Sequence, residues 1–264
     1  MNKSDTERIA SVMTSAGYQP ASLREADLVI FNTCSVRQTA EDRAVGQIRE
    51  AKKRKQQVVV TGCLKNQESF VQKNDDVNIY IDINNIQELP KMLKGQKPQT
   101  QSSDYFEIEP NRTSPVQAYV PIMTGCNNFC SYCIVPHVRG RERSRPLTNI
   151  LEEIESLAQK NYRQITLLGQ NVNSYKNNDA SFPDLLKKIV QLDGDFRVFF
   201  VTSHPKDMSP RLIELVAKYD RLCPYFHVPI QSGSDRILRK MNRGYTMERY
   251  AAIINSIRQQ IPDA

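Results

Sequence analysis

No stretch of the 264 residues stays apolar for the roughly 18 positions that a membrane-spanning helix requires. The opening residues, MNKSDTERIA, are polar and hold no apolar segment of the kind that directs secretion, so a soluble protein of the cytoplasm with no membrane partner is expected. A strong excess of one charge is also missing. Thirty-six Lys and Arg against 29 Asp and Glu leave a formal charge of +7, which permits a polyanionic partner without demanding one. The excess gathers in AKKRKQQ (51–57), which reads as the solvated end of a helix, and in HVRGRERSR (137–145).

Six cysteines in a chain of this kind are kept reduced, so a disulfide framework is disfavoured against metal binding or catalysis. Cys223 looks like an ordinary core thiol, whereas Cys34 and Cys63 each end an apolar run and Cys126, Cys130 and Cys133 share nine residues, GCNNFCSYC.

Residues 1–94 alternate helix and strand signals. SDTERIASVMTSAG has helical spacing, with Ser4 as N-cap, Glu7 three residues on, and Gly17 as the stop. ADLVIFNTC (26–34) and QVVVTGC (57–63) read as parallel strands buried on both faces, joined by the helix RQTAEDRAVGQIREAKKRK; VNIYIDI (77–83) and NNIQELPKMLKG add another strand and helix. The pattern predicts a doubly wound α/β domain in which Cys34 and Cys63 face one another beyond the carboxyl ends of consecutive strands. Residues 95–117, rich in Pro, Gln and Ser, read as a linker. From 118 to 264 a second βα series is expected: strands AYVPIM (118–123), QITLLG (164–169), RVFFVTS (197–203) and PYFHVPI (224–230), with helices near 147–160, 183–192, 210–219 and 234–241. Four βα units point to a barrel-like or open parallel sheet, with the cysteine loop on its active face. The chain opens on a helix and closes on TMERYAAIINSIRQQ and IPDA, so a cut at both ends is expected.

Three thiolates on one loop are a metal site short of one ligand. His137 would complete a Cys3His zinc set, giving a non-catalytic, zinc-stabilised RNA-binding module. Against this, the cysteines sit between a buried strand and a long helix of a large domain that needs no zinc to fold. In a cubane cluster, three thiolates hold three irons and leave the fourth open for a substrate or cofactor.

The arrangement C-x3-C-x-aromatic-C, here Cys126, Cys130, Tyr132 and Cys133, resembles the motif of radical S-adenosylmethionine enzymes, and TGCNNFCSYCIVPHVRGRERSR resembles their methylthiotransferase branch. Cys34 in NTCSVR and Cys63 in TGC match two of the three cysteines that hold a second cluster in that branch. The resemblance implies a doubly wound amino-terminal domain and a partial radical-SAM (βα) barrel. In the branch's pattern, the third of those cysteines precedes Met1, and later barrel strands and an RNA-binding β-domain follow Ala264. It also implies two [4Fe-4S] clusters, two molecules of S-adenosylmethionine, a sulfur source, and an electron donor such as flavodoxin or ferredoxin.

LLGQNVNSY (167–175), TSHP (202–205) and HVPIQSGSDRILRKMNRGYT (227–246) look most like members that methylthiolate C2 of N6-isopentenyladenosine at tRNA position 37, beside the anticodon; sister enzymes act on threonylcarbamoyladenosine or on a ribosomal protein. Lys176 stands where the branch usually has glycine. On this resemblance Cys126, Cys130 and Cys133 hold the radical cluster, Cys34 and Cys63 two irons of the other, and Tyr132, Gly169, Gln170, Ser203, His204 and Gln231 bind the cofactor, though the last three are equally suited to loop capping. Arg139, Arg141, Arg143 and Arg145, on one face of an extended segment, would meet the phosphates of the tRNA anticodon stem-loop; salt bridges to Glu142 and the acidic helix LEEIE are the alternative.

Overall fold

The three valines of QVVVTG show how the first part of the chain is organised. In the computed structural model, which describes residues 1–34, 38–64, 68–73, 76–97 and 104–264, Val59 packs into one apolar cluster and Val58 and Val60 into another, as alternate side chains of a strand must. The strands are β1 (Leu28–Thr33), β2 (Gln57–Gly62) and β3 (Ile79–Tyr80), parallel and in that order. On the Val59 side lie α1 (Asn2–Ser15) and α4 (Leu89–Leu93); on the other lie α2 (Gln38–Lys53) and α3 (Glu68–Lys73). Of these three strands, β2 is buried along nearly its whole length, whereas β1 is half-buried. The register Thr33↔Gly62 places Cys34 and Cys63 at neighbouring positions beyond the carboxyl ends.

Two expectations change here. Helix α1 begins at Asn2, and Ser4 lies inside it, because its hydroxyl is taken by Arg8, whose Nη1 donates to Ser4 Oγ at 2.6 Å. Arg8 is fully buried and lies over the Tyr105 ring at 5.1 Å, while the Tyr105 hydroxyl donates to Asp5. That contact also corrects the linker. Residues 98–103 fall outside the described residues, but Tyr105, Phe106 and Ile108 are buried in the α1 cluster and Asn111 N–H donates to Glu7 O at 2.9 Å. Apolar side chains in the stretch hold it down, and the chain divides into compact units at Met1–Thr113 and Ser114–Ala264.

In the second unit β4 (Gln117–Pro121) is followed by β5 (Met123–Thr124), α5 (Val135–Arg139), β6 (Arg143–Ser144) and α6 (Leu147–Gln159). Then come β7 (Gln164–Leu168), the hairpin β8 (Lys176–Asn177) and β9 (Ala180–Ser181), α7 (Phe182–Ile189) and β10 (Arg197–Phe200). Helices α8 (Pro210–Lys218), α9 (Asp235–Lys240) and α10 (Met247–Gln260) complete it. Strands β10, β7 and β4 form a parallel sheet in that order, and α6 seats Ile150, Ile154 and Leu157 in its core. The fourth expected strand, 224–230, does not form. Pro224 and Pro229 have no N–H to give a ladder, and the chain beside β10 is tied by a single bridge, Val198↔Leu222, with Ser203 N–H donating to His227 O at 3.2 Å.

Two glycines test this packing with opposite signs. A Cβ on Gly62, whose φ is +82°, would stand 2.4 Å from Thr33 O, so Gly62→Ala should cost about 1–3 kcal/mol or more. Gly46 lies in α2 with nothing within 4 Å of an added Cβ, and Gly46→Ala should gain about 0.5–1 kcal/mol. Urea unfolding of both variants measures this; equal shifts would show that the β1–β2 contact is wrong.

Candidate metal centre

The cysteine loop leaves and re-enters the second unit through one neck. Strands β5 and β6 pair antiparallel, Met123↔Ser144 and Thr124↔Arg143, and Cys126 N–H donates to Gly140 O at 3.1 Å. Gly125 has φ +78°, and a Cβ there would meet Arg141 O at 2.0 Å, so only glycine allows the two backbones to approach this closely. Beyond the neck, Phe129 takes φ +46° and turns the chain so that Cys133 N–H donates to Cys130 O at 2.9 Å.

Cys126 and Cys130 are buried and Cys133 is half-buried. Burial pushes the Cys126 thiol above its ordinary pKa; Asn128 opposes through a backbone hydrogen bond, while Glu142, Cys133 and Cys130 act with burial. Among the described residues no three His, Cys, Asp or Glu side chains already form a converged metal cage. The loop's chemistry fits an iron–sulfur cluster nonetheless, because it carries three thiols and Arg243, whose Nη1 donates to Cys130 Sγ at 3.3 Å, keeps Nε and Nη2 buried without hydrogen-bond partners among the described residues. His137 turns its ring edge-on to Phe129, centroids 6.5 Å apart.

The carboxyl ends of β7 and β10 are locked together. His204 N–H donates to Asn171 Oδ1 at 3.1 Å and Asn173 Oδ1 at 2.9 Å, Asn173 Nδ2 returns a bond to His204 O at 2.9 Å, and Val172 N–H donates to Thr202 O at 3.2 Å. Thr202 has φ +73°, a conformation that a β-branched residue adopts only under strain. Around this link Gln170 Oε1, Ser203 Oγ and His204 Nε2 are buried without hydrogen-bond partners among the described residues. His204 Nδ1 accepts from Lys206 N–H at 3.1 Å, so the imidazole carries its proton on Nε2 and is both a loop cap and an unused donor.

The remaining expected residues divide. Tyr132 is 50% exposed, with its hydroxyl pKa raised by burial of part of the ring and by Cys130 and Cys133, against Arg243. Gly169 has a packing reason of its own, since a Cβ would lie 2.6 Å from Met123 Cγ. Gln231 is exposed at the centre of a tight turn, φ +66°, with Ser232 N–H donating to Ile230 O at 2.9 Å. The arginines do not share a face: Arg139 ends α5 half-buried, Arg141 is exposed with its guanidinium 4.2 Å over the Phe129 ring, Arg143 is exposed in β6, and Arg145 is buried against Glu153. The acidic helix claims the last of them because Arg145 enters the core where α6 begins.

In the first unit Cys63 is buried and Cys34 half-buried, and Cys34 borders an open cavity of about 350 Å³ lined also by Asn2, Thr6, Asn32 and Arg43. Asn171, Asn173 and Arg243 escape the sequence reading. The signal for Arg243 was its place between Asn242 and Gly244, two turn-forming residues, both with positive φ.

Burial, then Arg243 and Lys206, hold the His204 pKa down to about 3, from an ordinary 6.5. The unfolded chain therefore takes up the proton first. Its contribution to stability is complete above about pH 6.5 and is lost toward pH 3 by about 1.4 kcal/mol per unit. Unfolding midpoints at pH 7 and pH 5 should fall more steeply for the parent than for His204→Gln; parallel pH slopes would contradict the buried neutral imidazole.

The family model of the Radical SAM superfamily matches residues 120–263, and that of Uncharacterized protein family UPF0004 matches residues 1–82. Over 285 aligned residues the chain is 42% identical to a tRNA-2-methylthio-N(6)-dimethylallyladenosine synthase of Dictyoglomus thermophilum, covering 100% of this chain and 64% of that protein. The enzyme of the same name in Citrifermentans bemidjiense is 43% identical over 99% of this chain and 64% of its own. The chain thus spans under two thirds of the length of these relatives. A radical S-adenosylmethionine methyltransferase from Kitasatospora setae, solved with cobalamin and a [4Fe-4S] cluster, shares the fold at TM-score 0.65 and 17% identity, covering 96% of this chain and 59% of that one. With its cysteine loop and parallel βα units inside a match that takes in more than half its length, the chain belongs to the radical SAM superfamily.

Proposed function

We propose that the protein is part of a radical S-adenosylmethionine methylthiotransferase that modifies tRNA at C2 of N6-isopentenyladenosine, position 37, beside the anticodon. The observation that carries this reading is the set of buried, unpartnered polar atoms, Gln170 Oε1, Ser203 Oγ and His204 Nε2, at the carboxyl ends of β7 and β10 in the same unit as the three-cysteine loop. The names of the relatives quoted above support the substrate.

When bound, a cluster and S-adenosylmethionine supply the one-electron chemistry that an unactivated C–H bond requires and that no side-chain acid or base offers near neutral pH. Cys126, Cys130 and Cys133 would hold that cluster, and Cys34 and Cys63 would contribute to a second. His204, neutral at working pH and donating from Nε2, and Gln170, accepting at Oε1, are matched to the amino acid end of the cofactor, and the buried Ser203 hydroxyl adds a further polar group. Tyr132 offers an exposed ring for its adenine; Gly169 keeps side-chain bulk out, and Gln231 presents an exposed amide. Arg141 and Arg143 are the exposed cations for tRNA phosphates, with Arg139 beside them. Two molecules of S-adenosylmethionine, a sulfur source, and an electron donor such as flavodoxin or ferredoxin complete the set, and a tRNA substrate places the reaction in the cytoplasm.

Anaerobically reconstituted protein should be brown and, with a reductant, release 5′-deoxyadenosine from S-adenosylmethionine. Cys130→Ala should lose that activity entirely, since two thiolates do not retain the cluster; 5′-deoxyadenosine from this variant would refute the assignment, and colourless protein holding zinc would favour the RNA-binding module. Mass spectrometry of tRNA from cells without the gene separates isopentenyladenosine from the sister substrates.

The arginines should part company under substitution. Arg143→Ala, at an exposed position, should cost less stability than Arg145→Ala and reduce the salt dependence of tRNA binding by about one phosphate contact. Arg145→Ala, which breaks the largely buried ion pair with Glu153, should cost about 3–5 kcal/mol. An unchanged salt slope for the first variant, or a stable second one, would reverse the two roles.

A further inference from the structure

The segment after α9 closes over the cysteine loop. Ser131 N–H donates to Met241 O at 3.1 Å, and Asn242 Nδ2 donates to Asn128 O at 3.2 Å and Phe129 O at 3.0 Å. Lys206 Nζ adds a bond to Asn128 Oδ1 at 2.5 Å from the β10 side. These contacts fix the loop's backbone. The side chain in the middle of the clasp does something different: Arg243 reaches past the backbone and donates Nη1 to the sulfur of Cys130 at 3.3 Å.

Arg243 is held firmly for that contact. Its N–H donates to Leu238 O at 3.0 Å, the left-handed conformations of Asn242 (φ +54°) and Gly244 (φ +67°) turn the chain on either side of it, and its guanidinium stands 5.5 Å from the centre of the Tyr245 ring. Arg243 is only 5% exposed. Among the described residues no carboxylate pairs with it; Nε and Nη2 are buried without hydrogen-bond partners. A guanidinium does not lose its proton in a protein, so a full positive charge sits in a poorly solvated place with a sulfur as its hydrogen-bonded neighbour.

We infer that Arg243 is a positioning residue that sets the reduction potential of the cluster held by the loop, through its hydrogen bond to Cys130 Sγ. The inference rests on the reading of the loop as an iron–sulfur site. Taking up an electron makes a cluster and its thiolates more negative. A buried cation and an N–H donor directed at one ligating sulfur stabilise that reduced state more than the oxidised one, and hydrogen bonds to the sulfurs together with local charge are the terms by which a protein tunes such a cluster. Arg243 therefore raises the potential and makes the cluster easier to reduce. Three thiolates hold the metal; Arg243 adjusts its electron affinity.

The test is an anaerobic redox titration, followed by electron paramagnetic resonance, of the reconstituted parent, Arg243→Gln and Arg243→Lys, with iron and sulfide measured on each. The expected result is equal iron content in all three, a midpoint moved to more negative values in the Gln variant, and a smaller shift in the Lys variant, which keeps the charge and loses the planar fork. Should the Gln variant fail to fold, the Lys variant alone carries the comparison. Midpoints equal to the parent's in the folded variants overturn the inference while leaving the cluster reading intact. Loss of iron from both folded variants also overturns it, because Arg243 would then be holding the loop together. A parent that assembles no cluster defeats the reading of the loop, and the inference with it.

Discussion

The candidate site depends on one close approach of backbone to backbone. At the neck of the cysteine loop, Gly125 comes so near Arg141 that a Cβ would lie 2.0 Å from its carbonyl oxygen, and the β5–β6 pairing and the Cys126 to Gly140 bond close the same ring. The loop thereby becomes an excursion from the sheet with both ends fixed. Three cysteines on a free linker would visit many arrangements and lose conformational freedom on binding a metal; on a closed loop much of that ordering is already in place. Strand β4 and the sheet behind it position the neck, so the core of the second unit and the thiols are parts of one construction.

Two further layers bear on that loop. The Met241–Tyr245 segment clasps it, placing Arg243 against a thiol. The loops after β7 and β10 tie to each other through Asn171, Asn173 and His204 and place polar atoms in buried positions where nothing among the described residues answers them. A buried polar atom without a partner costs stability, and the strain at Thr202 adds to that cost. Sites that bind charged, polar cofactors tolerate such costs because the ligand relieves them. Electrostatics on the outer side is simpler: the exposed Arg141 and Arg143 stand apart from Arg145, which serves the core.

The alternation of helices and strands is legible in the sequence because parallel strands and their covering helices have distinct periods, and QVVVTG and the helices from 147 to 241 fall where apolar spacing puts them. The three-cysteine loop between strand and helix is legible because its spacing is local. What is lost is whatever depends on contacts distant in sequence. Ser4 reads as a cap until Arg8 takes its hydroxyl; residues 104–113 read as linker until Tyr105 meets Asp5 about a hundred positions away. The segment 224–230 has strand composition, but its prolines withhold the donors that a ladder requires. Alternating arginines suggest an extended face only if the chain stays extended, and α5 and the pull of Glu153 prevent that. Arg243 lies 113 residues from the sulfur it touches, and no local pattern announces such a pair.

The central claim is that the loop holds a cluster with one iron open to S-adenosylmethionine. The most direct measurement is the electron paramagnetic resonance spectrum of the reduced, reconstituted protein, recorded with and without S-adenosylmethionine. Direct ligation of the open iron should change the g values of the signal. A strong cluster signal left identical by saturating S-adenosylmethionine would contradict the account, because the three-thiolate loop would then hold iron without offering it to the cofactor.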